Sequence, residues 1–149
     1  MARQHRFWGL AAALNETIEA WTATTNHTNQ DDATVTANTA EAFTDAVWIP
    51  TEGNDFTVLM GVTQAATIGT VTYTIEGTAD PLPEDANAVI AEVGTISHTV
   101  ATADTAEYEG KPFSGSAWRY VRLKDYESTS TGNLSEMNAI IAVKFGNQS

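Results

Sequence analysis

The chain has 149 residues, 42% of them hydrophobic and 17% charged, with no cysteine and a formal net charge of −12. That length suits one domain, the apolar content is too high for a disordered chain, and without cysteine neither disulfides nor thiolate metal sites can staple the fold. Eight acids and no Lys or Arg lie between Glu76 and Glu109, a surface that repels phosphates, and no run approaches the ~20 apolar residues of a membrane helix, so neither nucleic acid nor a membrane is expected as a direct partner.

Met1 to Leu14 sets two arginines before a short apolar run, as a secretion signal does, but Asn15 and Glu16 end the run and no small-x-small cleavage site follows. From Phe7 to Trp21, Leu10, Leu14 and Ile18 recur at four-residue steps, with Phe7 and Trp21 extending the stripe; this predicts an amphipathic helix that can dock on its own domain or on a neighbour. Thr22 to Thr39 (TATTNHTNQDDATVTANT) is polar and reads as an extended arm. The expected organisation is residues 1–42 as N-terminal helix and Thr/Asn-rich arm, and residues 43–149 as a β-sandwich domain.

After Phe43 the period becomes two. Ala46 to Ile49, stopped by Pro50, reads as a short strand, and Phe56 to Val62 as a longer one with Phe56, Val58, Met60 and Val62 on one face. Thr63 to Ile68 is expected to be a hairpin loop leading to a strand from Gly69, with Val71, Tyr73 and Ile75 inward and Thr70, Thr72, Thr74 and Glu76 outward. The chain holds 23 threonines, many in such alternation, and a β-branched hydroxyl suits a half-wet sheet face. Gly77 to Asn87 contains two prolines and three acids and reads as an exposed loop. Val89 to Val93 and Thr95 to Val100 are weaker strands split by Gly94, followed by an acidic connection from Ala101 to Gly110. Trp118 to Lys124 (WRYVRLK) and Asn138 to Phe145 (NAIIAVKF) are the closing strands. The fold class is mainly β, an antiparallel sandwich.

Little points to catalysis. His5, His27 and His98 share no local metal-ligand spacing, Phe113 to Ala117 is a Gly/Ser turn and no nucleophile elbow, and the pairs Asp31/Asp32 and Glu84/Asp85 lack the pattern of a calcium loop. No catalytic, cofactor or metal residue is therefore expected, and the chain is not read as an enzyme. Trp48, Trp118, Tyr120 and Tyr126 form a sugar-binding platform if exposed, or part of a sandwich core if buried. The basic strand with Arg119, Arg122 and Lys124, and Lys111 upstream, either pairs with the acidic Glu76 to Glu109 region in the same chain or contacts another subunit.

Five stretches, Asp55 to Val62 (DFTVLMGV), Gly69 to Asp80 (GTVTYTIEGTAD), Trp118 to Lys124 (WRYVRLK), Thr131 to Asn133 (TGN) and Ala139 to Gly146 (AIIAVKFG), lie in the last two thirds of the chain. Together this part of the chain resembles a group of small virion proteins of tailed bacteriophages, which are β-sandwich capsid-decoration or other head and tail components. In that group a Gly and a Trp usually follow soon after the E-G-x-x-D segment, whereas here Pro81 to Asn87 intervenes, and residues 1–46 lie outside the resemblance. The resemblance implies a homo-oligomeric capsid decoration (cement) protein on the outer face of the major capsid shell, located in the virion and assembled in the host cytoplasm. Contacts are then expected from Arg3, Arg6, Phe7, Trp8, Leu10, Leu14 and Ile18 in the N-terminal segment and from Arg119, Arg122 and Lys124. A tail, neck or baseplate component, or a carbohydrate-binding adhesion module using Trp118 and Tyr120, are the alternatives.

Overall fold

The computed structural model describes residues 4–7, 28–43, 46–65 and 69–148. Among these residues there is no helix, and ten strands run in chain order as β1 (Gln4–Phe7), β2 (Thr28–Val35), β3 (Glu41–Ala42), β4 (Ile49–Pro50), β5 (Phe56–Ala65), β6 (Thr70–Thr78), β7 (Ile90–Thr99), β8 (Glu107–Phe113), β9 (Tyr120–Ser128) and β10 (Gly132–Gln148). They form two sheets, antiparallel at every pairing. In the first, β1 and β2 lie end to end along β10, followed by β5 and β8; in the second, β3 and β4 lie end to end along β9, followed by β6 and β7.

Counting β3 and β4 as two halves of one strand and leaving β1 aside, consecutive strands are dealt between the sheets in the order 1-8-3-6 and 2-7-4-5. That is jelly-roll connectivity, in which most links cross from one sheet to the other. The crossing corrects one expectation: β5 and β6 are not a hairpin, because β5 pairs with β10 and β8 while β6 pairs with β7 and β9. Two-residue periodicity reports which face of a strand is buried and says nothing about its neighbour.

Alternation places the core between the sheets. Phe56, Val58, Met60 and Val62 on β5 and Met137, Ala139, Ile141 and Val143 on β10 face Val71, Tyr73 and Ile75 on β6 and Val121, Leu123 and Tyr126 on β9, none more than 3% exposed. Burying each large apolar side chain contributes roughly 1.5–3 kcal/mol. The Tyr73 hydroxyl crosses the core and donates to the carbonyl of Gly61 at 2.9 Å. At one end the buried Gln64 accepts from the Gly69 amide at 3.0 Å and donates to Ser128 Oγ at 3.3 Å, so its polar head is satisfied. On the outer face of β6 and β7 the threonines form a ladder, with Thr70 and Thr99 hydroxyls 2.8 Å apart and Thr72 and Ser97 also 2.8 Å apart.

Other expectations change. Residues 28–35, inside the stretch read as an arm, form β2, which pairs with β10 from Thr28 opposite Ala139 to Val35 opposite Gly132. A flanking strand is held by backbone hydrogen bonds, which need no apolar side chains, so periodicity misses it. The expected helix begins at Phe7, but Phe7 ends β1; the rest of it, Trp8 to Trp21, lies outside the described residues. Ala46 to Trp48 are not strand, and only Ile49–Pro50 pair with β9. The two weak strands around Gly94 are one, β7, with a bulge at Val93 and Gly94 at φ 157°. The acidic connection contains β8, whose core-side positions Glu107, Glu109 and Lys111 are polar because they sit at the margin of the sandwich.

Candidate contact surfaces

Arg122 stands on the outer face of β9 directly across from Glu76 on β6, and its Nε donates to Glu76 Oε1 at 2.7 Å. Its guanidinium also lies over the Trp48 ring, 4.3 Å from the centroid. Of the two readings the sequence leaves open for the basic strand, Arg122 takes the intramolecular one. Lys124 is exposed, with Nζ 3.4 Å from the adjoining Asp125, and Arg119 reaches Glu52 only at 4.0 Å with both side chains about half exposed. Surface pairs of this kind contribute little, and both cations remain presented to solvent.

Between β3 and β4 the chain leaves the edge of β9, and a cavity of about 390 Å³ opens there, lined by Ala42, Phe43, Ala46, Glu76, Arg122, Leu123 and Lys124. The structure thus brings Arg122 and Lys124 to one cavity. Arg119, before the start of β9, is not among its lining residues. Arg6 and Phe7 lie on β1 beside Phe145 and Lys144, whereas Arg3, Trp8, Leu10, Leu14 and Ile18 lie outside the described residues.

The four aromatics do not form a common platform. Tyr126 is buried against Phe43, ring centroids 4.9 Å apart, and Trp118 is half-buried against the core, over Gly77. A Cβ at Gly77 would sit 2.8 Å from the Trp118 ring, so only glycine lets the indole close over β6. Trp48 is capped by Arg122, and Tyr120 is half-buried.

Two groups of acids stand out. His98 on β7 lies between Glu107 and Glu109 of β8, with Nε2 2.5 Å from Glu107 and Nδ1 3.4 Å from Glu109. Lys111 on β8 donates to the Thr95 carbonyl of β7 at 2.7 Å, so polar contacts fasten the two sheets along this side. The hydrogen bond from His98, together with the amides of Thr102 and Ala101, holds the Glu107 carboxyl below its ordinary pKa. Among the described residues no group of three His, Cys, Asp or Glu side chains is arranged to hold a metal ion.

The second group surrounds the β6–β7 loop, residues 79–89. Four hydrogen bonds give the loop a defined shape: Leu82 and Asp85 carbonyls accept from the Asp85 and Ala88 amides, and Asp85 and Asp80 carboxylates accept from the Asn87 and Val89 amides. It displays Leu82 at 66%, Val89 at 76% and, just beyond it, Ile90 at 40% exposure, three of the five exposed large hydrophobics among the described residues. Glu84, Asp85 and Glu92 frame them. Prolines and acids predict an exposed loop here, but they give no weight to its apolar residues, which fall in no period. A shaped loop that keeps Leu82 and Val89 in water, with Ile90 beside it on β7, is a contact candidate.

No protein-family model matches the chain, and no curated protein matches its sequence.

Proposed function

We propose that this chain is a structural protein of a bacteriophage virion, a capsid decoration protein that binds the outer face of the major capsid shell as a homo-oligomer. The observation that carries the reading is the shaped β6–β7 loop, which offers Leu82 and Val89 in an acidic frame with Ile90 beside them at the start of β7, as a docking prong would. Support also comes from the resemblance of the sequence to small virion proteins. Its quoted stretches map onto β5, β6, β9 and β10, which are the central strands of the two sheets. Jelly rolls recur in viral shells, although they also serve as lectins and enzymes, so the contact surface and the motifs carry more weight than the fold. The acidic exterior suits a protein that faces away from packaged DNA.

Shells lacking the protein, mixed with purified chain and sedimented, test the reading. The wild-type chain is expected to co-sediment at many copies per particle, and the double substitution Leu82→Ser/Val89→Ser to weaken binding by about 10- to 100-fold. Binding confined to a few copies at one vertex or on tails would instead favour a neck, tail or baseplate component. Absence of binding to any part of the particle would refute a virion role.

A further inference from the structure

The start of β7 is a strand edge with no strand beside it. Thr78 turns its carbonyl toward β9, where it accepts from the Arg119 amide at 2.9 Å. Backbone groups alternate in direction along a strand, so Gly77 turns to its partner Ala91 on β7, while Ile90 and Glu92 point their N–H and C=O groups away from β6. The far half of β7 obeys the same rule, since the outward carbonyl of Thr95 is the one that accepts from Lys111 Nζ. β8 shields that half. It runs beside β7 from His98, next to Glu107 and Glu109, to Gly94, where an added Cβ would sit 3.0 Å from the Phe113 ring. Phe113 ends β8, so Ile90, Ala91 and Glu92 lie beyond its cover, and all three are exposed. Among the described residues, nothing bonds the outward backbone groups of Ile90 and Glu92.

An unpaired edge is a template for one more strand, and its surroundings say which. Leu82 and Val89 stand exposed in the loop that leads into this edge, and Ile90 lies on it. Glu84 and Asp85 are exposed in the same loop, and no Lys or Arg occurs between Glu76 and Glu109. Glu92 stands opposite Glu76 in the ladder, but the cation there, Arg122, is engaged by Glu76, and among the described residues Glu92 has no cation of its own. A second copy of this edge would set Glu92 and the loop acids against their equals, and like charges across a strand pair are unfavourable. An incoming strand with apolar and positively charged side chains meets complementary groups at each position.

We propose that the edge of β7 from Ile90 to Glu92 accepts an extended, cationic peptide segment of a partner protein as an added strand, bonded to the outward N–H and C=O groups of those two residues. The proposal rests on the contact role of the β6–β7 loop and names what that contact receives: the shell's part of it is a flexible basic arm that orders as a strand. Main-chain bonds hold the arm, the acids select its charge, and Leu82 and Val89 receive its apolar side chains.

The probe is a capped peptide of alternating lysine and valine, about seven residues long. Titrated into the purified full chain at low salt, it is expected to bind with a Kd below about 1 mM, and its counterpart with glutamate in place of lysine at least about 10-fold more weakly. Amide hydrogen exchange read by NMR reports the geometry: with peptide bound, the Ile90 and Glu92 amides are expected to gain at least about 10-fold protection, while the outward amide of Ser97, on the half beside β8, is unchanged. Glu92→Pro removes one outward amide and no bond of the ladder, and is expected to weaken binding by at least about 10-fold, against about 2- to 5-fold for Glu92→Gln. If the proline variant does not fold, the exchange data on the wild-type chain decide. No binding, equal binding of the glutamate peptide, or binding that leaves Ile90 and Glu92 unprotected would overturn the proposal. So would protection of those two amides that grows with protein concentration in the absence of peptide, which would assign the edge to a second copy. Sedimentation with shells separates the two readings: a chain that binds shells but no peptide loses only the added strand, and one that binds the peptide but no part of the particle loses only the virion role.

Discussion

Replacing Tyr73 by phenylalanine removes one oxygen and leaves the ring in place, packed edge-on against Phe43 with centroids 5.0 Å apart. That oxygen belongs to β6 in the second sheet and donates to the Gly61 carbonyl of β5, so it ties one sheet to the other. Tyr73 is completely buried, and water cannot replace the hydroxyl without a cavity. A stranded backbone carbonyl costs roughly 1–3 kcal/mol, which puts Tyr73→Phe at about 1–3 kcal/mol and a fall in Tm of ~3–12 °C for a domain of this size. Urea unfolding at constant m-value measures it, with Thr72→Val on the outer face as a comparator expected to stay within about 0.5 kcal/mol. A Tyr73→Phe cost equal to that of the comparator would refute the hydroxyl as a tie between the sheets. There is a second signature at alkaline pH. Burial pushes the Tyr73 hydroxyl far above its ordinary value of 10.0, so the unfolded chain releases this proton first, and stability falls as pH rises past that value. The phenylalanine variant is expected to show a shallower alkaline slope.

On the acid side the sign reverses. The Glu107 carboxyl, held below its ordinary 4.5 by His98 and two amides, contributes stability that is present above that value and lost as pH falls through its lower folded one; Glu107→Gln is expected to flatten that limb in pH-dependent unfolding. Gly77→Ala places a Cβ 2.8 Å from the Trp118 ring and 2.9 Å from Val93, and is expected to cost about 1–3 kcal/mol, with a change in tryptophan emission as the indole is displaced. Arg122→Met leaves Glu76, whose side chain is 11% exposed, without its cation; because Arg122 is itself 31% exposed, the expected loss by urea unfolding is about 1–2 kcal/mol, relieved by adding Glu76→Gln.

Which residues face the core was legible in the chain wherever burial alternates. Val71, Tyr73 and Ile75, Phe56 to Val62, and Ile141 with Val143 sit where a period of two places them, because a side chain on a sheet has only two directions to choose from. The same rule explains the omissions. β2 and β8 are flanking strands whose pairing rests on backbone hydrogen bonds, and on β8 the side chains of Glu107, Glu109 and Lys111 answer to a neighbouring edge rather than to a core. Of the expected contact residues, Arg122 is partnered within the chain, an outcome that depended on which strand lay beside β9. Leu82 and Val89 gained interest only once a fixed loop was seen to hold them in water, with Ile90 beside them.

By itself the sequence determined an acidic, cysteine-free, mainly antiparallel β protein and the inward face of its central strands, since composition and alternation are local properties of the chain. Tertiary structure alone decided the jelly-roll order of the strands, the pairing of Arg122 with Glu76, the fastening of β7 to β8 through His98, and the burial of Ile140 and Ala142 on a face that alternation assigns to solvent. Each of those depends on residues brought together from distant parts of the chain, and no local pattern records which partner will arrive.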